Sequence, residues 1–169
     1  MSLEFVRKCG KYFCRPATVY NLFMALRSIE EIEPALRSFL EEKPEILVGY
    51  LFGSVVSGRA RPDSDVDIAV LVADDVMRGD SFQYRLQRMA DLMSVLQRDD
   101  VDFVLLNEAP PLLAHRILKK GKLIVERSPS ARVAFQVRTM NRYSDTQPMR
   151  DLYLSYLKKH AQEGNIFGR

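Results

Sequence analysis

The chain has 169 residues, the length of a single domain, and its 47% apolar and 28% charged residues exclude a disordered protein. Its 25 basic and 22 acidic residues leave a small formal net charge of +3. No apolar run approaches the roughly 18 residues of a membrane span, and the first residues lack the apolar core of a signal peptide. Two cysteines are too few for a disulfide framework. We therefore expect a cytoplasmic protein with no membrane partner.

Helices are predicted before the first strand. Thr18 can cap a helix whose apolar positions continue at helical spacing to Ile29. Pro34 suits the first turn of a helix, so residues 34–42 are expected to form either a second helix or a kinked continuation of the first. The positions expected to face inward there are Leu36, Phe39 and Leu40.

Short apolar segments and amphipathic segments then alternate. Buried strands are predicted at residues 46–52, 66–72, 101–106 and 122–125. Residues 53–64 are expected to form a turn with a short helix. Longer helices are predicted at residues 80–97, where Asp80 and Gln83 resemble a capping box, and at residues 110–120. The apolar stripe of the first of these consists of Phe82, Leu86, Met89, Met93 and Leu96.

Two more helices are predicted after the last strand. The first begins at Ser128-Pro129, with Val133, Val137 and Met140 in register. The apolar positions of the second are Met149, Leu152, Tyr153, Tyr156 and Leu157. The whole order indicates an α/β or α+β fold, with helices layered on a sheet.

The charges are unevenly distributed along the chain. Residues 1–27 sum to +4, residues 28–45 and 46–118 to −4 each, and residues 119–169 to +7. A solvated surface explains most such blocks, but an acidic centre can also hold a cation.

Three of the central acids lie in or beside apolar strands. Asp65 and Asp67 stand at positions i and i+2 at the start of a strand, so their side chains share a face. Asp102 lies inside the next apolar strand, and it would complete a cluster of three carboxylates if the two strands are neighbours. Clustered carboxylates repel each other unless a cation such as Mg²⁺ neutralises them. A solvated strand end is the alternative for each of them.

Gly53 and Ser54 directly follow the first strand. Glycine lets a backbone approach a ligand closely, and the N–H groups of a following helix, together with the serine hydroxyl, can hold an anion. A simple turn between strand and helix is the alternative.

Taken together, these residues form the pattern Gly-Ser-x10-Asp-x-Asp, followed by an apolar strand and a later aspartate in another strand. The pattern resembles the signature of the polymerase-β-like nucleotidyltransferase superfamily. The short chain and the segment RPDSDVDIAVLV are similar to the minimal nucleotidyltransferases, or MNT domains. The segment PPLLAHRILKKGKLIVER resembles the family's following helix and strand, and the ending is similar to that of MNT proteins encoded beside HEPN-domain partners.

The resemblance implies a small mixed β-sheet flanked by helices and a role for each residue of the pattern. Asp65 and Asp67 would bind Mg²⁺ that bridges the nucleotide phosphates, and Gly53 and Ser54 would hold the β- and γ-phosphates. Asp102 would complete a second metal site and help to activate the acceptor hydroxyl. The substrate would be ATP, and AMP would pass to a tyrosine of a HEPN toxin, for which this chain would be the antitoxin.

One part of the pattern departs from the family. Relatives often carry arginine just after Gly-Ser, and a small residue with arginine next, where this chain has Val55, Val56 and Ser57. Arg59 and Arg61 remain nearby and are candidates to face the triphosphate.

The resemblance also divides the chain. It implies a partly helical N-terminal extension at residues 1–30, a nucleotidyltransferase core at residues 31–127, and C-terminal helices at residues 128–169 that pack on the core or on a partner. A non-catalytic binding antitoxin of the same fold, and transfer to a small molecule such as an aminoglycoside, are the alternative functions. Association of the chain with itself stays open, and no nucleic-acid partner is expected.

The two cysteines, Cys9 and Cys14, are spaced like half of a zinc site. No second cysteine pair exists, and His115 and His160 lie on other predicted helices. Two free thiols are therefore expected.

Overall fold

The structure, a computed structural model, describes residues 29–58 and 64–162. The predicted helix from Thr18, the two cysteines, nearly all of the proposed extension, and Arg59 and Arg61 lie outside the described residues.

A four-stranded mixed sheet forms the centre of the described chain. Its strands are β1 (Ile46–Phe52), β2 (Val66–Val72), β3 (Val101–Leu105) and β4 (Lys122–Glu126), in the order β3-β2-β1-β4. Strand β1 pairs antiparallel with both of its neighbours, and β2 pairs parallel with β3. The prediction of a mixed sheet flanked by helices is confirmed.

Helices surround the sheet within the described ranges. They are α1 (Ile29–Glu41), α2 (Gly53–Val56), α3 (Asp74–Arg78), α4 (Ser81–Leu96), α5 (Pro111–Lys120), α6 (Pro129–Asp145) and α7 (Gln147–Gln162). Helix α3 was not predicted, because five residues are too few to show a helical period. A bilayer-spanning length of apolar helix does not occur anywhere in the described part of the chain.

Helix α1 corrects one of the two predictions for its segment. Pro34 lies inside a helix that already includes Ile29, so a separate helix beginning at Pro34 is wrong. The alternative, a kinked continuation of the helix from Thr18, depends on residues 18–28, which lie outside the described residues. A proline inside a helix costs one backbone hydrogen bond, and the burial of Ile32, Leu36 and Leu40 on either side of Pro34 offsets that loss. The inward positions Leu36 and Leu40 are confirmed as fully buried.

Helices α1 and α4 cover one face of the sheet. Their buried side chains pack with alternate residues of the strands in one cluster, whose largest members include Ile32, Leu36, Leu40, Ile68, Leu92, Leu96 and Phe103. Each such side chain contributes roughly 1.5–3 kcal/mol by its burial.

The predicted apolar stripe of α4 is wrong at its start. Phe82 is 62% exposed and Leu86 is also exposed, while Leu92, absent from the predicted stripe, is fully buried. In the first half of the helix the side chain that packs against the core is Tyr84, so the buried row is offset from Phe82 and Leu86. The predicted start is confirmed, because the carboxylate of Asp80 accepts a hydrogen bond from the Gln83 N–H at 2.9 Å.

Helices α5 and α6 cover the opposite face, with Ala114, Ile117 and Phe135 in a second cluster. The predicted register of α6 is wrong, since its three predicted apolar positions are more than half exposed and the buried residues are Phe135 and Thr139. The misplaced positions are Val133, Val137 and Met140. Helix α7 buries none of its residues.

Candidate active site

The pairing of β2 with β3 brings two predicted site residues together. Asp67 and Asp102 are direct partners in the parallel ladder, which confirms that the two strands are neighbours. The residues on either side of each aspartate point into the α1/α4 core, and side chains alternate along a strand, so both carboxylates face the side that carries α5 and α6. The Asp102 side chain is exposed, and that of Asp67 is half-buried.

Asp65 lies just outside the sheet. Strand β2 begins at Val66, whose N–H donates to the carbonyl of Asp100 at 2.9 Å, and Asp65 precedes this first bond. The Asp65 side chain is exposed to solvent. The three aspartates therefore stand together at the end of the sheet where β2 and β3 begin.

The electrostatics of Asp67 show that these carboxylates influence one another. Burial, followed by the negative charges of Asp102 and Asp65, raises the pKa of Asp67 from its ordinary value near 4 to about 6. A carboxylate in this position is destabilised by its own surroundings. A bound cation would relieve the repulsion.

Gly53 passes directly over Asp67. Strand β1 ends at Phe52, the ladder partner of Asp67, and Gly53 then turns the chain with a φ of +77°. A Cβ at this position would stand 2.7 Å from the carboxyl carbon of Asp67, which is closer than real Cβ atoms come. Only glycine combines this φ with this approach. The half-buried Ser54 follows Gly53 directly, in the first turn of α2.

The residues that depart from the family pattern have structural roles here. Val55 and Val56 pack against the α1/α4 core. The Ser57 hydroxyl donates to the Ser54 carbonyl at 3.1 Å. Side chains at these positions therefore support the short helix.

The donor set fits a hard divalent cation. It contains only carboxylate oxygens, which Mg²⁺ prefers, and Mg²⁺ takes one or two carboxylates together with water and substrate phosphates. Among the residues that the structure describes, no group of three or more His, Cys, Asp or Glu side chains forms a ready-made metal site. Asp65, Asp67 and Asp102 are therefore the side chains that could hold such an ion together with water.

Comparison with known proteins decides the family. The family model described as "Polymerase beta, Nucleotidyltransferase" matches residues 35–130, more than half of the chain and all of the sheet. The chain belongs to the polymerase-β nucleotidyltransferase family. Nucleotidyl transfer is accordingly its chemistry, and the earlier resemblance to this superfamily is confirmed.

Individual relatives resemble this chain more specifically than the family model does. The protein adenylyltransferase MntA of Shewanella oneidensis is 34% identical over 107 residues, which cover 63% of this chain and 73% of MntA. A toxin–antitoxin crystal structure with AMP-PNP matches with a TM-score of 0.64 and 29% identity, covering 75% of this chain and 98% of that one. A complex of a tri-AMPylated Shewanella oneidensis HEPN toxin with its MNT antitoxin matches with a TM-score of 0.60 and 28% identity, covering 76% and 98%.

Sequence reasoning missed one buried residue beside the carboxylates. Arg98 is only 7% exposed, and it forms an ion pair with Asp100 between the end of α4 and the start of β3. An arginine after a helix is typical of the surface, so the sequence shows no clear signal for it. The nearest hint is the acidic pair Asp99-Asp100 that follows it directly.

Proposed function

We propose that this chain transfers AMP from ATP to a tyrosine hydroxyl of a HEPN-domain toxin, with Mg²⁺, and thereby acts as its antitoxin. The observation that carries the proposal is the side-by-side register of Asp67 and Asp102 beneath the Gly53 turn, in a chain of this family. Mutual repulsion among the carboxylates supports a cation-dependent site.

In this proposal each residue keeps the role that its position supports. Asp65 and Asp67 would hold Mg²⁺, and Asp102 would contribute to a second ion. The Gly53–Ser54 turn, which lies close to Asp67, is proposed to bind the β- and γ-phosphates. Bound Mg²⁺ would supply charge neutralisation for the attacking and leaving oxygens. Arg59 is proposed to contact the triphosphate.

The reaction is an in-line substitution at the α-phosphorus. The tyrosine oxygen forms a new bond to that phosphorus, and the bond to the bridging oxygen breaks, so pyrophosphate leaves with both electrons. Asp102 helps to remove the phenolic proton. The protein contributes by positioning groups and by stabilising charge that develops in the transition state.

The HEPN partner is proposed from the relatives and from the surface of this chain. Structures similar to this one contain a HEPN toxin, in one case AMPylated. Helices α6 and α7 expose many large apolar side chains, and residues 119–169 carry a charge of +7. These helices are therefore the surface that we propose for the partner.

Position-specific labelling of ATP tests the reaction. The chain is incubated with Mg²⁺, the HEPN protein encoded beside it, and ATP radiolabelled on either the α- or the γ-phosphorus. We expect label on the partner only from the α-position, and none with the Asp65→Asn/Asp67→Asn variant. Label from the γ-position, or equal labelling by the variant, would contradict the proposal.

A second function is favoured by the exposed apolar side chains of α6 and α7, which suit a purely binding antitoxin. Growth rescue separates the two. If the Asp65→Asn/Asp67→Asn variant neutralises the toxin as well as the wild-type chain does, binding alone is sufficient. If rescue is lost while the complex still forms, transfer is required.

A further inference from the structure

Arg98 is a buried guanidinium close to the carboxylates. Helix α4 ends at Leu96, and Gln97 adopts a left-handed conformation with a φ of +52° that redirects the chain. The Arg98 side chain then lies at the starts of β2 and β3, with only 7% of the residue exposed. A charge this well buried is tolerated only where its donors find partners.

The guanidinium joins the two segments that lead into β2 and β3. Its Nε donates to one carboxylate oxygen of Asp100 at 2.8 Å, and an Nη donates to the other, so the pair is bidentate. The same Nη donates to the backbone carbonyl of Ser64 at 2.9 Å. Asp100 precedes β3, and Ser64 precedes Asp65.

These contacts hold the backbone on both sides of Asp65. The carbonyl before it is bound by Arg98, and the N–H after it, on Val66, is bound by the carbonyl of Asp100. Asp65 itself is exposed and lies outside the ladder. Its place relative to β3, and thus to Asp102, is therefore set by residues 98–100.

We propose that Arg98 is a positioning residue for the carboxylate site: through Asp100 and Ser64 it fixes Asp65 relative to its two neighbouring aspartates, and so sets the affinity for a divalent cation. The inference rests on the metal site of the proposed function. Supporting groups that orient ligands typically change metal affinity 10- to 100-fold when they are removed.

Lysine cannot replace this arginine. A guanidinium presents several donors in a rigid plane, whereas an ammonium is a point charge and cannot reproduce the bidentate contact together with the carbonyl contact. The hydrogen bonds that Arg98 donates to the Asp100 carboxylate, and then the negative charges of Asp100 and Asp65, raise the pKa of Arg98. The guanidinium is thus also coupled to the site by charge.

Direct metal binding tests the role apart from catalysis. Mn²⁺, which replaces Mg²⁺ and is visible by electron paramagnetic resonance, is titrated into the full-length wild-type chain and into Arg98→Lys, Asp100→Asn and the double variant. Arg127→Lys is the matched control, because Arg127 also donates to two backbone carbonyls, those of Ile46 and Glu41, at the opposite end of the sheet. Melting temperatures identify the folded variants.

We expect Arg98→Lys and Asp100→Asn each to weaken Mn²⁺ binding by about 10-fold. The double variant should bind Mn²⁺ as well as the single variant with the lower affinity, because the two residues act together. Arg127→Lys should bind Mn²⁺ like the wild type. Folded Arg98 and Asp100 variants with wild-type affinity would overturn the role. A wild-type chain that binds no Mn²⁺ would overturn it together with the metal site. If the wild-type chain binds Mn²⁺ but transfers no AMP, the proposed function fails, and the affinities still decide the role of Arg98.

Discussion

Gly53 has a backbone conformation that favours glycine and also lies against a carboxylate of the candidate site. Its φ of +77° favours glycine, and its position against Asp67 excludes a side chain. Gly58 has a similar φ of +68°, but a Cβ there would meet no atom within 4 Å. The two glycines therefore separate the cost of backbone strain from the cost of crowding the carboxylate.

Replacing each glycine with alanine measures those two costs. Gly58→Ala is expected to lose about 1 kcal/mol of unfolding free energy and to keep its transfer activity. Gly53→Ala is expected to lose more than about 2 kcal/mol and most of its activity, because Asp67 must move. Chemical denaturation and the labelling assay provide the readouts. Equal effects of the two substitutions would contradict the close approach.

The raised pKa of Asp67 makes a prediction about stability and pH. A carboxyl whose pKa rises on folding holds its proton more tightly in the folded state, so stability falls as pH rises from the unfolded value near 4 to about 6 and stays reduced above it. Without metal at pH 8, Asp67→Asn is therefore expected to melt higher than the wild type, and the difference should vanish near pH 4.

The control for that comparison is Asp74→Asn, which removes one exposed surface charge from α3, beyond the opposite end of β2. It tests whether any loss of negative charge gives the same result. An Asp67→Asn variant that melts lower than the wild type at pH 8, or a difference that does not depend on pH, would contradict the raised pKa of Asp67.

The buried row of α4 is offset from its predicted apolar stripe, with Tyr84 packed against the core in the first half and Leu92 and Leu96 buried in the second. Leu92 is fully buried, whereas Leu86 is 36% exposed. Leu92→Ala is expected to cost about 2–5 kcal/mol, the usual range for a buried leucine. Leu86→Ala should cost less than about 1 kcal/mol. Urea denaturation measures both, and similar losses would place the core on the wrong face of the helix.

The elements themselves were largely predictable, because each strand is a short apolar run and the main helices have clear starts. Helix faces were less predictable. In α6, Val133 and Val137 have helical spacing, yet Phe135 is the side chain that reaches the core. Periodicity identifies a helix, but which face is buried depends on what lies opposite. The short α3 carries too little pattern for any prediction.

The residues of the candidate site also differ in how far they could be predicted from the sequence. The pair Asp65 and Asp67 is readable because it is local, and Asp102 needed the strand order, which the structure supplies. The support from Arg98 was not predictable, since its carbonyl partner, Ser64, lies 34 residues earlier in the chain. Contacts of that kind are decided by tertiary packing rather than by local pattern.

For the whole molecule, the small net charge is a cancellation between an acidic centre and a basic C-terminal region. The carboxylate site belongs to the acidic part. Helix α7, in the basic part, buries none of its residues and exposes a row of large apolar side chains. Catalysis and partner binding are thus expected to be separable by substitution.

Leu152→Asp/Tyr156→Asp tests that separation. These residues lie one helical turn apart and are 71% and 58% exposed, so the melting temperature should not change. Affinity for the HEPN partner, measured by calorimetry, is expected to fall by about 10-fold or more, as for other central interface residues. Unchanged affinity would remove α7 from the proposed interface.

The intact mass of the HEPN partner shows whether AMP is transferred to it. The partner is incubated with ATP, Mg²⁺ and either this chain or its Asp65→Asn/Asp67→Asn variant, and fragment spectra then identify the modified residue. We predict a mass increase by whole AMP units on a tyrosine, with the wild-type chain alone. An unchanged mass with the wild-type chain, or the same increase with the variant, would contradict AMP transfer by this chain.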